Sequence, residues 1–445
     1  MKQEAMQKLQ TKKTPSIRIV PVGGFLIRNL NRIHQKYPDI VQVKMGIASF
    51  YLVSDPALIQ EILVTKQRNF IKGKFLQRTK KVFGEGLLTS EGDFHHKQRR
   101  LVQPAFHQTR IDSYSTIVEE YADRAMRLWK DGQILDIHSE MMKLTMSIVA
   151  KCLFDSDLES ESKSLVKDLT TTIEYFNRLS SPLAGLLKRL PTNRKYEKAV
   201  RRIDSMIYDL IKRRRESQSD EGDLLSMLLQ ASDVGHDVMS DRQLRDEILI
   251  LFAAGHETTA NALTWTWYLL SQNPIARDKL HAEVDQYSCQ DLINSATLQK
   301  LEYTTKVFTE SMRLYPPAWV LVRQAQETCQ VGNYSIPAGA DIVISQYLSH
   351  RDPRFFPRPE NFEPERWTTL MKKNLPKFAY YPFGGGPRSC VGEPFAWMEG
   401  VLLLALISKN WNMIHLLDHK VEMLPRITLR PKFGMKMRLE KRAAT

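Results

Sequence analysis

The chain has 445 residues, 42% of them hydrophobic and 26% charged, an ordinary soluble balance with room for one large core or two fused lobes. Its four cysteines, Cys152, Cys289, Cys329 and Cys390, show no paired spacing, which speaks against a disulfide framework. The net charge of +14 comes from dispersed Lys and Arg, so nucleic acid is not expected as a partner; the densest run, Lys212 to Arg215, reads as a solvated helix end.

Residues 1–25 read as a polar N-terminal extension without an apolar stretch of signal-peptide or anchor length, so a cytoplasmic chain with no transmembrane anchor is expected. Residues 39–55 (DIVQVKMGIASFYLVSD) are rich in β-branched and aromatic residues and predict a hairpin. From about 56 to 316 the pattern is mostly helical, broken by a polar loop at 216–223. One helix stands out: Ser240 and Gln243 make a capping-box pattern, and the apolar run continues to Leu270, before Asn273-Pro274. It would span roughly 50 Å. Residues 248–263 are apolar nearly all round except for GHETT, which places this helix at the centre of a large domain. Short strand-like runs return at 318–350, a Pro-rich coil follows, VLLLALIS at 401–408 is too short to span a membrane, and the last segment, VEMLPRITLRPKFGMKMRL, reads as strands. The expected class is mainly α (α+β), with a long central helix and small sheets near both ends.

Residues 383–392 read FGGGPRSCVG, and a helical pattern, EPFAWMEGVLLLALISKNW, follows. The glycines open backbone conformations closed to other residues and would let a flat macrocycle approach the backbone. Cys390 stands just ahead of a helix start, where amide N–H groups and the dipole favour a thiolate. A soft thiolate ligates metal, and on haem iron it pushes electron density onto the metal. A buried cysteine after a glycine turn is the alternative for a lone Cys. Phe383, Gly386, Arg388, Cys390 and Gly392 together favour the ligand.

This decapeptide resembles the haem-binding loop of the cytochrome P450 family, F-x-x-G-x-R-x-C-x-G, at every fixed position. The resemblance implies the cytochrome P450 fold over one catalytic domain spanning 1–445, with haem b held by Cys390 as axial thiolate. Phe383 would pack beside the thiolate, and Arg388 would pair with a propionate. AGHETT at 254–259 resembles the family's oxygen-activation motif: Ala254 and Gly255 leave room beside a ligand, while Glu257 and Thr258 are the catalytic pair for proton delivery. Thr258 could equally bond the Ala254 carbonyl one turn back, and both states can coexist. His256 is not expected to bind metal. ESMR at 310–313 and FEPERW at 362–367 resemble the pair that joins Glu310, Arg313 and Arg366 into a buried structural network, with Trp367 where the family commonly has Phe. FHHKQRRLVQPAF at 94–106 resembles the helix over the haem edge, with His95 and Arg99 toward the propionates; a slipped register would substitute His96 or Arg100. Arg323 matches another propionate position.

The implied reaction is mono-oxygenation of an apolar substrate by O2. A peroxide-using peroxygenase or a rearrangement enzyme of the same fold is the alternative; the intact Glu257-Thr258 pair speaks against it. No G-x-G-x-x-G or fused reductase domain is read, so electrons are expected from a separate ferredoxin or flavodoxin with its NAD(P)H reductase, docking near Lys97, Arg99, Arg100, Lys372, Lys373 and Lys377. Phe75, Leu76, Leu87, Leu88, Phe252, Trp319 and Val320 are the expected apolar lining of the substrate pocket, by family analogy. Fatty acids, terpenoids, steroids and carotenoids all remain open as substrates.

Overall fold

The computed structural model describes residues 12–19, 26–46, 48–157, 164–172, 175, 192–217, 221–233, 239–293 and 295–443. They fall into two compact units. The first comprises Met1–Arg78, Ala318–Asn361 and Leu370–Cys390; the second comprises Thr79–Pro317, Phe362–Thr369 and Val391–Thr445.

The first unit is built on a six-stranded sheet, in the order Ser16–Ile19, Ile40–Met45, Ala48–Val53, Asp341–Ile344, Leu321–Ala325 and Phe70–Lys72. The expected hairpin is present: Ile40 pairs with Val53 and Met45 with Ala48, antiparallel. Gly46, at φ +59°, makes the turn in a conformation that L side chains rarely adopt. The N-terminal extension is partly inside the fold. Residues 16–19 form an edge strand parallel to 42–45, because alternating Ile17 and Ile19 suit a strand with one buried face. Residues 1–11 and 20–25 of that extension lie outside the described residues. Val53, Ile59, Ile342 and Ile344 are fully buried on the sheet, and Phe378 and Tyr381 from the segment before the cysteine loop join the same core.

The second unit is helical. Its central helix runs Asp241–Gln272, and Ser240 caps it with the full reciprocal capping box to Gln243. The helix is buried along most of its length, with apolar residues on every face and its buried polar groups, such as Arg245 and Glu257, hydrogen-bonded. Phe252 packs on Phe154 of the helix Ile137–Phe154, with ring centroids 4.7 Å apart, and Trp265 stacks on Tyr315 at 4.2 Å. A three-stranded sheet (Trp411–His415, Lys436–Lys441, Ile134–Asp136) and a hairpin (Met423–Pro425, Leu429–Pro431) complete this unit, as the strand-like C-terminal segment predicts.

The stretch 56–316 is mostly helical, as expected, with two strands of three residues each, Phe70–Lys72 and Ile134–Asp136. One expectation needs correction: the run Lys212–Arg215 is not simply a solvated helix end. Arg214 is buried, and its guanidinium donates to Asp223, Ser226 and the Phe154 carbonyl. The helix continues to Ser217, and residues 218–220 of the expected polar loop lie outside the described residues. Among the described residues no helix is long and apolar enough to cross a membrane.

Candidate active site

The cysteine loop belongs to the first unit. The Cys390 amide donates to the Phe383 carbonyl at 2.9 Å, and the Gly384 amide donates to Tyr381 at 2.9 Å, folding the decapeptide back on itself. Gly386–Arg388 form one 3-10 turn. Cys390 is exposed and in no disulfide, and the helix Glu393–Asn410 begins three residues later with Gly392 as its N-cap. Phe383 and Arg388 are half-buried. The glycines have a different job from the one expected. A Cβ on Gly386, at φ +69°, would lie 2.0 Å from the Leu63 carbonyl oxygen, and one on Gly385 would lie 2.4 Å from the Phe378 ring. Both are glycine because protein packs against them. Gly384 has only Leu321 nearby, at 3.7 Å, and keeps an open side.

Arg323 is buried in the strand Leu321–Ala325, and its register partner on the antiparallel strand Phe70–Lys72 is Lys72, also buried. Like charges directly opposite on a sheet disfavour folding unless an anion joins them. Lys72 escaped the sequence reading because a cross-strand neighbour 251 positions away leaves no local signal. Two buried cations and an exposed thiol make a donor set that fits a haem: carboxylate partners for the cations and a soft ligand for iron.

In the second unit the AGHETT turns divide by direction. Ala254 is exposed and Gly255 and Thr258 are half-exposed, a small-residue window in an otherwise buried helix. The Thr258 hydroxyl donates to the Ala254 carbonyl at 2.7 Å, the local bond read from the sequence. Gly255 does not hold its space open for a ligand, since a Cβ there would meet Val149 at 3.0 Å and the helix Ile137–Phe154 fills the space. His256 is buried with Nδ1 2.5 Å from the Phe252 carbonyl, and burial pushes its pKa down, so it stays neutral. Glu257 is buried too, accepting from the Thr428 hydroxyl at 2.5 Å, with Arg430 at 4.0 Å.

The helix Gly92–Val102 turns His95 inward, with Arg99 half-exposed, and leaves His96 and Arg100 at the surface. Among the expected pocket residues, Leu88 is exposed, Leu76 and Val320 are half-buried, and Leu87 and Trp319 are largely buried. Phe252 has no exposed surface and is a core residue held by Phe154. Phe75 lies in the helix Lys74–Phe83, but its side chain is outside the described residues.

The best-defined cluster is structural. Glu310 and Arg313 are one helical turn apart, and both are fully buried. Glu310 accepts from Arg313 Nε and Nη2 at 2.8 and 2.9 Å, Arg366 Nε at 2.8 Å, the Glu363 amide at 2.9 Å and Trp367 Nε1 at 2.9 Å. Trp367, where the family commonly has Phe, thus adds a donor that the sequence reading did not foresee. One further buried carboxyl lies on the helix after the cysteine: burial pushes Glu399 up to about 8, which leaves it neutral at pH 7.

Comparison with known proteins identifies the family. The family model described as Cytochrome P450 matches residues 19–436. "Cyclooctatin synthase" of Streptomyces melanosporofaciens is 37% identical, covering 88% of this chain and 86% of that protein. "Cyclooctat-9-en-7-ol 5-monooxygenase" of the same organism is 34% identical, covering 84% and 82%. The crystal structure of the cytochrome P450DA heme domain superposes with a TM-score of 0.85 at 24% identity, covering 97% of this chain and 99% of that one, a likeness of fold. The chain belongs to the cytochrome P450 family; its cofactor is haem b, and it is a monooxygenase that uses O2 and a redox partner.

Replacing Glu310 with Ala removes the anion that two buried guanidinium groups share. Thermal or denaturant unfolding should show Glu310→Ala losing about 3–5 kcal/mol, with haem retention falling in parallel. Unchanged stability would mean that water or another acceptor takes the carboxylate's place.

Proposed function

We propose that this cytochrome P450 inserts oxygen into a rigid, apolar substrate of the terpenoid class, with Cys390 as the axial thiolate. The observation that carries the ligand role is Cys390 itself, exposed at the end of a loop whose hydrogen bonds hold it ahead of a helix N-terminus. Arg388, Arg323, His95 and Arg99, with Lys72 added, are the groups for the propionates. Phe383 and Gly392 frame the thiolate, and exposed Ala254 leaves the central helix low enough for dioxygen. Bound haem supplies the oxidising chemistry. Thr258 gives up its bond to the Ala254 carbonyl to hold a proton donor, and Glu257 restores the proton. Electrons come from a ferredoxin or flavodoxin, for which exposed Arg100 and half-exposed Lys97 offer positive charge.

The substrate class rests on the relatives' names, one of which specifies an alkenol, cyclooctat-9-en-7-ol. In the first unit, half-buried Leu76 and Val320 supply apolar surface for such a molecule. Fatty acids are disfavoured because the hairpin at 40–53 carries no arginine to clamp a carboxylate.

Optical titration should give a saturable substrate-induced shift with cyclooctat-9-en-7-ol and none with a long-chain fatty acid; the reverse order would overturn the substrate class. Cys390→Ser should abolish the thiolate signature of the reduced carbon monoxide complex, and a variant that kept it would move the ligand elsewhere. Thr258→Ala should keep haem and substrate binding but divert reducing equivalents to peroxide. Peroxide released per NADPH, measured with a plant-type ferredoxin and its reductase, checks this, and an unchanged yield would remove Thr258 from proton delivery.

A further inference from the structure

Glu257 is a buried carboxylate at the end of a polar chain that draws on two distant segments, around Thr428 and His138. Thr428 Oγ1 lies 2.5 Å from Glu257 Oε1, Asn261 Nδ2 lies 3.2 Å from Thr428 Oγ1, and His138 Nε2 lies 3.1 Å from Asn261 Oδ1. Glu257 and Asn261 are i and i+4 on the central helix, so both project from one face and Thr428 bridges them. Thr258 is rotated about 100° from Glu257 around that helix. The Thr428 segment is pinned there: Trp265 Nε1 donates to the Leu429 carbonyl at 2.9 Å, and the Leu429 amide donates to Pro317 at 2.9 Å.

The carboxylate sets the direction of the whole chain. An ionised carboxylate only accepts, so the Thr428 hydroxyl donates to it. The hydroxyl oxygen then accepts the Asn261 N–H, which leaves the Asn261 carbonyl oxygen facing the imidazole. That oxygen accepts, so His138 Nε2 must carry a proton. Each link polarises the next toward the anion. Asn261 is fully buried and Thr428 and Glu257 nearly so, whereas His138 is half-exposed. His138 is itself anchored: its amide donates to Asp136 at 3.2 Å, and the same Asp136 oxygen accepts the Met435 amide. The charged groups facing the imidazole are Asp136, Glu257 and Arg430, and burial outweighs the two acids, lowering its pKa and keeping it neutral.

We propose that His138 is a positioning residue for this enzyme's proton supply: acting through Asn261 and Thr428, it holds the Glu257 carboxylate in place beside Thr258 and joins it to the protein surface. An amide in the middle of the chain does not pass a proton, so the chain works by orientation. It fixes Glu257 about 100° round the helix from its neighbour Thr258 while oxygen chemistry draws a proton from Thr258. The inference rests on the reading of Glu257 and Thr258 as the proton-delivery pair.

Two measurements test it. Nitrogen-15 NMR of histidine-labelled holoenzyme, with the His138 signal assigned from His138→Gln, should show a neutral Nε2–H ring that shifts in Asn261→Ala. A neutral Nδ1–H ring, or a signal unmoved by Asn261→Ala, would overturn the proposal. In the second, His138→Leu should raise peroxide released per NADPH by about 2- to 10-fold, the weight of one hydrogen bond. The solvent isotope effect on NADPH oxidation should rise with it, in the presence of cyclooctat-9-en-7-ol as probe. Haem content and the reduced carbon monoxide spectrum should not change. His138→Gln keeps an N–H donor and should restore both values. An unaltered His138→Leu, or a Gln variant no better than Leu, would overturn the role. Should His138→Leu lose haem, the isosteric Thr428→Val breaks the last link and is judged by the same criteria. Thr258→Ala separates the two readings: if it too leaves peroxide unchanged, proton delivery by this pair fails altogether, whereas a peroxide rise there beside a silent His138→Leu removes only the His138 role.

Discussion

One carboxylate organises much of the second unit. Glu310 is fully buried, and Arg313, Arg366, Trp367 and the Glu363 amide all donate to it. Such a cluster adds little net stability over a well-packed apolar core, because desolvating the charges offsets their attraction. Its value is geometric. A buried anion needs donors from fixed directions, so the helix Glu302–Leu314 and the turn Pro364–Arg366 can meet in one way only. The chain that leads out of that turn continues directly into the segment bearing the cysteine loop.

Glycine explains a second layer. Three glycines in the two site motifs suggest clearance for a ligand. In the fold, Gly255 makes room for Val149, Gly385 for Phe378 and Gly386 for the Leu63 carbonyl. The physical requirement is the same, close approach to backbone, but here the neighbour is protein. The loop and the central helix are thus locked by packing before any cofactor binds, which is the preorganisation that a site needs if ligand geometry is not to drift.

Glu257 and Thr258 are adjacent in sequence yet differ in environment. The hydroxyl lies in a window of small residues, and the carboxylate is tied into a polar chain that includes Thr428 and Asn261. Turning the carboxylate away from the hydroxyl keeps the charge off the apolar face of the window. It also leaves the carboxylate dependent on residues far away in the chain. Arg214 makes the same point outside the site: its guanidinium sits in the interior only because Asp223 and Ser226 meet it there.

Much was legible in the sequence alone. The capping box at Ser240 and Gln243, the central helix through Gln272, the hairpin at 40–53 and the loop around Cys390 all depend on residues a few positions apart. Local spacing encodes them, as does the Thr258 bond to the Ala254 carbonyl. The family itself was legible for the same reason, since its motifs are short. What the sequence could not carry is which distant groups share a buried polar atom. Trp367 on Glu310, Thr428 on Glu257, His138 on Asn261, Lys72 beside Arg323 and Arg214 on Asp223 were decided by tertiary structure. A buried polar group must find its partner wherever folding brings one within about 3 Å, and that distance has no counterpart in sequence separation.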